Sequence, residues 1–297
     1  MAAPAPRQSN FMRQRNRPLH WMLLPAVIVV LLFSYYPLLG NIMAFQKFVP
    51  AKGILGSRFV GLANFEYIFS LPNTRQVIFN TFYISLMKII VLVTVPIIFA
   101  LLLNEVRHHF TKRTIQTAVY LPHFMSWVIM ASILIDILSP SEGIVNKAIM
   151  GLGFQPVFFL GDEKIFPYVM VVTDLLKEFG FESIVFLAAL MAIDPTLYEA
   201  SSIDGANRWQ QTLYITLPGI STTIILIATL SMGYVLNAGF DQIYNLYSPV
   251  VASTGEIIDT YIYKLGIIDA QYSVATAMGI FRSVVSLVFI AVAYKLA

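Results

Sequence analysis

Ile193-Asp194-Pro195-Thr196-Leu197-Tyr198-Glu199-Ala200-Ser201-Ser202-Ile203-Asp204-Gly205-Ala206-Asn207-Arg208-Trp209-Gln210 is a polar stretch between two apolar runs, and its reading sets the architecture. Asp194 ahead of Pro195 reads as an N-cap with proline at the first helical position, where the missing N–H costs nothing. The helix so started is short, because Asp204-Gly205 supplies a break. Asn207, with Gln210 three residues on, resembles a capping box opening a second helix that runs toward Leu217-Pro218. The expectation for 193–217 is a helix–turn–helix elbow. Ala200, Ser201, Gly205 and Ala206 are small enough to let another protein surface approach it closely.

On both sides of the elbow the chain is too apolar for water. Of its 297 residues, 58% are hydrophobic and 12% charged, against roughly 45–50% and about 25% in soluble domains. A spanning helix needs about 20 mainly apolar residues, and six segments supply them: 21–45, 77–103, 118–138, 168–192, 213–236 and 274–294. The first is too long for a secretory leader and lacks a small-residue cleavage site, so it reads as a retained membrane helix. Arg7, Arg13, Arg15 and Arg17 precede it with no acid among them, which puts the basic segment 1–20 in the cytoplasm by the positive-inside rule. Six crossings return the carboxyl terminus to the same side. Loops 104–117 and 193–212 then fall inside, and 46–76, 139–167 and 237–273 outside; lysine and arginine are denser in the inner set. The expected fold class is an all-α membrane protein, with six transmembrane helices over 21–297 and the elbow on the cytoplasmic face.

Much chemistry is excluded. With no cysteine there is no disulfide, no thiolate-bound zinc and no thiol nucleophile. A net charge of +3 without a long basic tract argues against nucleic acid. Neither the phosphate-binding G-x-x-x-x-G-K-[ST] loop nor H-E-x-x-H nor G-x-S-x-G occurs. His108 and His109 are adjacent, so on a helix they point about 100° apart and do not chelate; with Arg107, Lys112 and Arg113 they read as a basic inner loop. His123 sits at the start of the third expected span and reads as interfacial. No metal site is expected.

Glu199-Ala200-Ser201, then Gly205, then Ile215-Thr216-Leu217-Pro218 reproduces the pattern E-A-A-x3-G-x9-I-x-L-P, with Ser201 for the second alanine as its one departure. The chain therefore resembles the membrane subunits of binding-protein-dependent ABC importers, with the type I permease architecture. Tyr35-Tyr36-Pro37, Val60-Gly61-Leu62-Ala63-Asn64-Phe65, Phe158-Phe159-Leu160-Gly161 and Phe240-Asp241-Gln242-Ile243-Tyr244 look like the branch that imports oligosaccharides, including alginate- and pectin-derived oligomers. The resemblance implies a second homologous permease, two ATPase subunits that hold ATP and magnesium, and an external sugar-binding protein in a bacterial inner membrane. It implies that this chain binds no cofactor and is not itself an enzyme. It also implies that Glu199 faces a basic group of the ATPase, Gly205 permits the turn, and Ala200, Ser201, Asp204, Ala206, Trp209, Leu217 and Pro218 complete the coupling surface.

Charges within spans are functional candidates, because they usually face a bundle interior or a water-filled cavity. Asp174, Lys177, Glu178 and Glu182 fall within an arc of about 140° on an ideal helix. Lys88 and Arg282 lie inside the second and sixth spans. Structural pairing and sugar contact both account for these charges. Tyr244, Asn245 and Tyr247 suit a sugar by stacking and hydrogen bonding, although tyrosine is also common at membrane interfaces. Two other functions fit the composition: a proton-coupled transporter using Asp174 and Glu178, and an intramembrane transferase.

Overall fold

The computed structural model describes residues 21–296; the basic segment 1–20, with its four arginines, lies outside the described residues. Ten helices carry the argument: α1 (Trp21–Phe45), α2 (Thr74–Asn104), α3 (His109–Phe124), α4 (Trp127–Leu138), α5 (Phe166–Met191), α6 (Pro195–Ile203), α7 (Arg208–Met232), α8 (Phe240–Leu246), α9 (Ile258–Tyr263) and α10 (Tyr272–Leu296). A two-stranded antiparallel ladder pairs Gln46 with Phe59 and Lys47 with Arg58.

Among the described residues, α1, α2, α7 and α10 are long and apolar enough to cross a membrane, and α3 with α4 makes a fifth if the bent pair is one span. The fourth expected span, α5, has the length at 26 residues, but its four charges remove it from the apolar class. The third expected span, 118–138, is not one helix. The chain turns by 106° between α3 and α4. Pro122 cannot continue the ladder of α3, Met125 is extended, and the Ser126 hydroxyl accepts from the Ile129 N–H to cap α4. Apolar content alone hid this break.

Two other prolines are absorbed rather than broken at. Pro37 and Pro218 each follow a five-residue π-helical turn, Leu31–Tyr35 and Thr212–Thr216, at the same spacing. The wide turn shifts Leu217 N–H onto Thr212 O and so spares the contact between proline and the preceding turn.

The principal packing is α2 against α5. Ala100 and Leu103 of α2 bury against Phe186, Leu187 and Leu190 of α5 and Ile220 of α7. Farther along, Ile84 joins Phe166, Met170, Ile243 and Ile257. The amino-terminal half of α2 also stitches the segment before α9. Asn80 Nδ2 donates to Ser253 O and Glu256 O at 3.0 and 3.1 Å, and Thr81 Oγ1 accepts from Ile258 N at 2.8 Å. By contrast, α1 keeps none of its apolar stretch buried, the surface expected where lipid or protein replaces water.

Gly180 lets α5 pass close to α3: a Cβ there would lie 2.5 Å from both Val119 Cγ1 and Val119 O. Gly180→Val should therefore cost about 1–3 kcal/mol through overpacking. The readout is the thermal midpoint of the purified protein in detergent; a midpoint equal to wild type would refute this crossing.

Candidate functional site

The elbow forms from its local sequence. Thr196 N–H donates to Asp194 Oδ1 at 2.9 Å, which caps α6 and holds that exposed carboxyl below its usual range. Gly205 has φ +79°, the left-handed region that glycine adopts without steric cost. Asn207 and Gln210 make both bonds of the capping box, at 2.9 and 2.8 Å. Glu199, Ala200, Asp204, Gly205 and Pro218 are exposed, Ser201, Ala206 and Leu217 are partly covered, and Trp209 is 74% exposed. Glu199, Arg107, Asn207 and Arg208 line an open hollow of about 690 Å³. Arg208 also reaches Glu105 at the end of α2, 3.3 Å away.

One elbow residue escaped the sequence reading. Gln211 is buried, and its Nε2 donates to Ser201 Oγ at 3.0 Å, Ser202 Oγ at 2.9 Å and Tyr198 O at 3.4 Å. Tyr198 and Thr216 hydroxyls meet at 3.0 Å beside it. Ser201, where the signature has alanine, thus takes part in a clasp that ties α6 to the first turns of α7. Its only sequence trace is a polar residue where an apolar run begins.

The three cations within spans all find acceptors in this chain, and each reaches a carbonyl where a helix is interrupted. Lys177 Nζ donates to His123 O at 2.9 Å, at the bend between α3 and α4. Lys88 Nζ donates to Ala238 O at 2.7 Å, and Arg282 Nε to Leu236 O at 3.0 Å, both in the unwound segment after α7. Side chains complete each set. Lys88 also meets Gln242 Oε1 and, at 3.5 Å, Asp174; Gln242 in turn donates to Met170 O and Thr173 Oγ1. Lys177 pairs with Glu178 at 2.7 Å and lies 5.5 Å over the Trp127 ring. Glu178 binds His123 Nδ1 at 2.6 Å, and the His123 ring stacks on Phe181 at 3.8 Å. Arg282 binds Asp259. The four charges on one face of α5 therefore part company: Lys177 is buried, while Asp174 and Glu182 line a cavity of about 180 Å³ with Ser85, Ser231, Tyr234 and Asn237.

The tyrosine group also divides. Asn245 Nδ2 bonds its own helix at Asp241 O, and Tyr247 packs on the core around Ile243. Tyr244 is 48% exposed and stands beside Phe240 and Tyr263.

Known proteins share this sequence pattern and fold. Residues 92–297 match the family model described as the binding-protein-dependent transport system inner membrane component. The polygalacturonan/rhamnogalacturonan transport system permease protein YteP of Bacillus subtilis (strain 168) is 39% identical over 95% of this chain and 88% of its own length. Protein LplB of the same organism is 39% identical over 93% and 87%. Among solved structures, a chain of a bacterial ABC transporter that imports the acidic polysaccharide alginate superposes with a TM-score of 0.89 at 39% identity, over 97% of this chain and 98% of that one. A chain of a bacterial alginate ABC transporter in complex with an alginate pentasaccharide-bound periplasmic protein gives 0.87 at 40% identity, over 94% and 93%. This chain is a multi-pass membrane protein and belongs to the family of inner-membrane components of binding-protein-dependent transport systems.

Proposed function

We propose that this chain is one permease subunit of an ATP-driven importer of sugar oligomers, working with a second permease, two ATPase subunits and an external binding protein. The observation that carries the reading is the elbow: the signature residues Glu199, Gly205 and Pro218 fall on a capped, clasped helix pair that opens directly into α7. Acidic or neutral sugar oligomers are the substrate class suggested by the relatives' names, which give polygalacturonan/rhamnogalacturonan, arabinooligosaccharides and alginate. In this scheme α5, despite its charges, and the bent α3–α4 pair are counted as crossings, which restores six. The elbow and both termini then lie in the cytoplasm.

ATP and magnesium belong to the ATPase subunits; this chain supplies the lever. An exposed carboxylate at Glu199 meets a basic group of the ATPase, and exposed Trp209 packs into the same cleft. The Gln211 clasp makes α6 and the start of α7 move as one body, so that closure of the ATPase pair tilts a span rather than bending a loop. Asp174 and Glu182, facing the small polar cavity with Tyr234 and Asn237, are the substrate-side groups of the described spans.

Three outcomes test this. In proteoliposomes holding the complete importer, Glu199→Lys should lower uptake per ATP hydrolysed at least tenfold, roughly the effect of one reversed charge pair; full uptake would remove Glu199 from the coupling role. Because the chain has no cysteine, Asp204→Cys provides a single label site. An impermeant maleimide should modify it only from the cytoplasmic side, and external labelling would invert the topology. Gln211→Leu should leave the complex assembled but loosen coupling by about three- to tenfold through loss of buried hydrogen bonds. Unaltered uptake per ATP would mean that the clasp bears no load.

A further inference from the structure

Backbone 233–239 leaves the helical path after Met232, with Gly239 at φ +90° before α8 begins. Arg282 and Lys88 take the carbonyls of Leu236 and Ala238, the residues on either side of Asn237. With the backbone held there, side chains sort sharply. Val235, Leu236, Ala238, Gln242 and Ile243 are buried; Tyr234, Asn237, Asp241 and Tyr244 project outward. Lys88 spends two of its three protons on Ala238 O and Gln242 Oε1 and pairs with Asp174 at 3.5 Å, so its ammonium is engaged within the chain.

The outward row ends in three packed rings. Phe240 stacks on Tyr244 with centroids 5.2 Å apart, and Tyr263 meets Tyr244 edge-on at 5.1 Å and Phe240 at 5.7 Å. Phe240 and Tyr263 also line a groove of about 650 Å³ with the polar groups of Asn41, Thr276 and Ser283. On the other side of Gly239, Tyr234 and Asn237 line the cavity shared by Asp174 and Glu182. Gly239 lines the second hollow and Phe240, the next residue, lines the first.

We propose that Phe240, Tyr244 and Tyr263 form a stacking platform for a pyranose ring, with the Asn237 amide beside it, and that Lys88 and Arg282 are positioning residues for the backbone that presents them. The proposal rests on the sugar-import reading above. A pyranose presents apolar C–H faces, which aromatic rings cover, and a rim of hydroxyls, which amide, hydroxyl and carboxylate groups bind. Three packed rings beside polar groups match that amphipathic ligand.

The test uses the complete importer in proteoliposomes, with its binding protein loaded in turn with short galacturonate, mannuronate and arabinose oligomers. Sugar taken up per ATP hydrolysed is the readout. Tyr244→Leu and Tyr263→Leu should each lower it about fivefold, the scale of a lost aromatic contact, while hydrolysis stimulated by the binding protein stays at the wild-type rate. Tyr244→Phe should stay within about twofold, since it keeps the ring face. Unchanged ratios in both leucine variants overturn the platform, and so does an equal loss in Tyr244→Phe, which would assign the effect to the hydroxyl. Lys88→Met, or Arg282→Lys where the former does not assemble, should lower the ratio for acidic and neutral probes alike; a loss confined to acidic probes overturns the positioning role. A wild-type importer that takes up none of the three probes overturns platform and sugar reading together. Wild-type uptake that persists without ATP overturns the importer reading alone.

Discussion

A peptide carbonyl buried away from water needs a donor from within the protein, so wherever a helix stops among packed side chains that donor must come from elsewhere in the chain. This chain interrupts its helices at the bend between α3 and α4 and in the unwound stretch after α7, and a cationic side chain from another helix is sent to each. Lys177 reaches His123 O, Lys88 reaches Ala238 O and Arg282 reaches Leu236 O. The arrangement explains why a chain with so few charges places cations within its apolar spans, where each is costly unless paired. It also ties α2, α5, α8, α9 and α10 into one polar frame around the interrupted segments, through Asp174, Gln242 and Asp259.

The elbow at the far end of α7 follows a different logic. Most of its residues are exposed, so ordinary caps suffice: Asp194 for α6, the Asn207–Gln210 box for α7 and Gly205 between them. The Gln211 clasp then makes the two helices one body. From this body α7 runs to the unwound segment beside the polar cavity without a break, except for the π turn before Pro218, which is the continuity that the proposed lever requires.

Legibility from the sequence tracked the range of the interactions. The elbow was read correctly down to both bonds of its capping box, since every partner lies within a few residues. The apolar runs located α1, α2, α7 and α10 for the same reason. The Pro122 break was in plain view, yet an apolar count treats 118–138 as uniform, and the count cannot register a 106° turn. For the charges of α5, the spacing correctly placed them on one side, but spacing could not tell that Lys177 is buried against His123 while Asp174 and Glu182 face a cavity. His123 itself, read as interfacial, gains its role from Glu178 and Phe181, more than fifty residues away.

The sequence by itself determined the solvent this protein requires, the position and shape of the elbow, and the family signature that the elbow carries. Each follows from composition or from contacts within one or two helical turns. Tertiary structure alone decided which carbonyl each buried cation serves, how Ser201 is used by Gln211, and which aromatic rings stand together at Tyr244. Those outcomes depend on side chains brought together from distant parts of the chain, and a linear pattern holds no record of the distances between them.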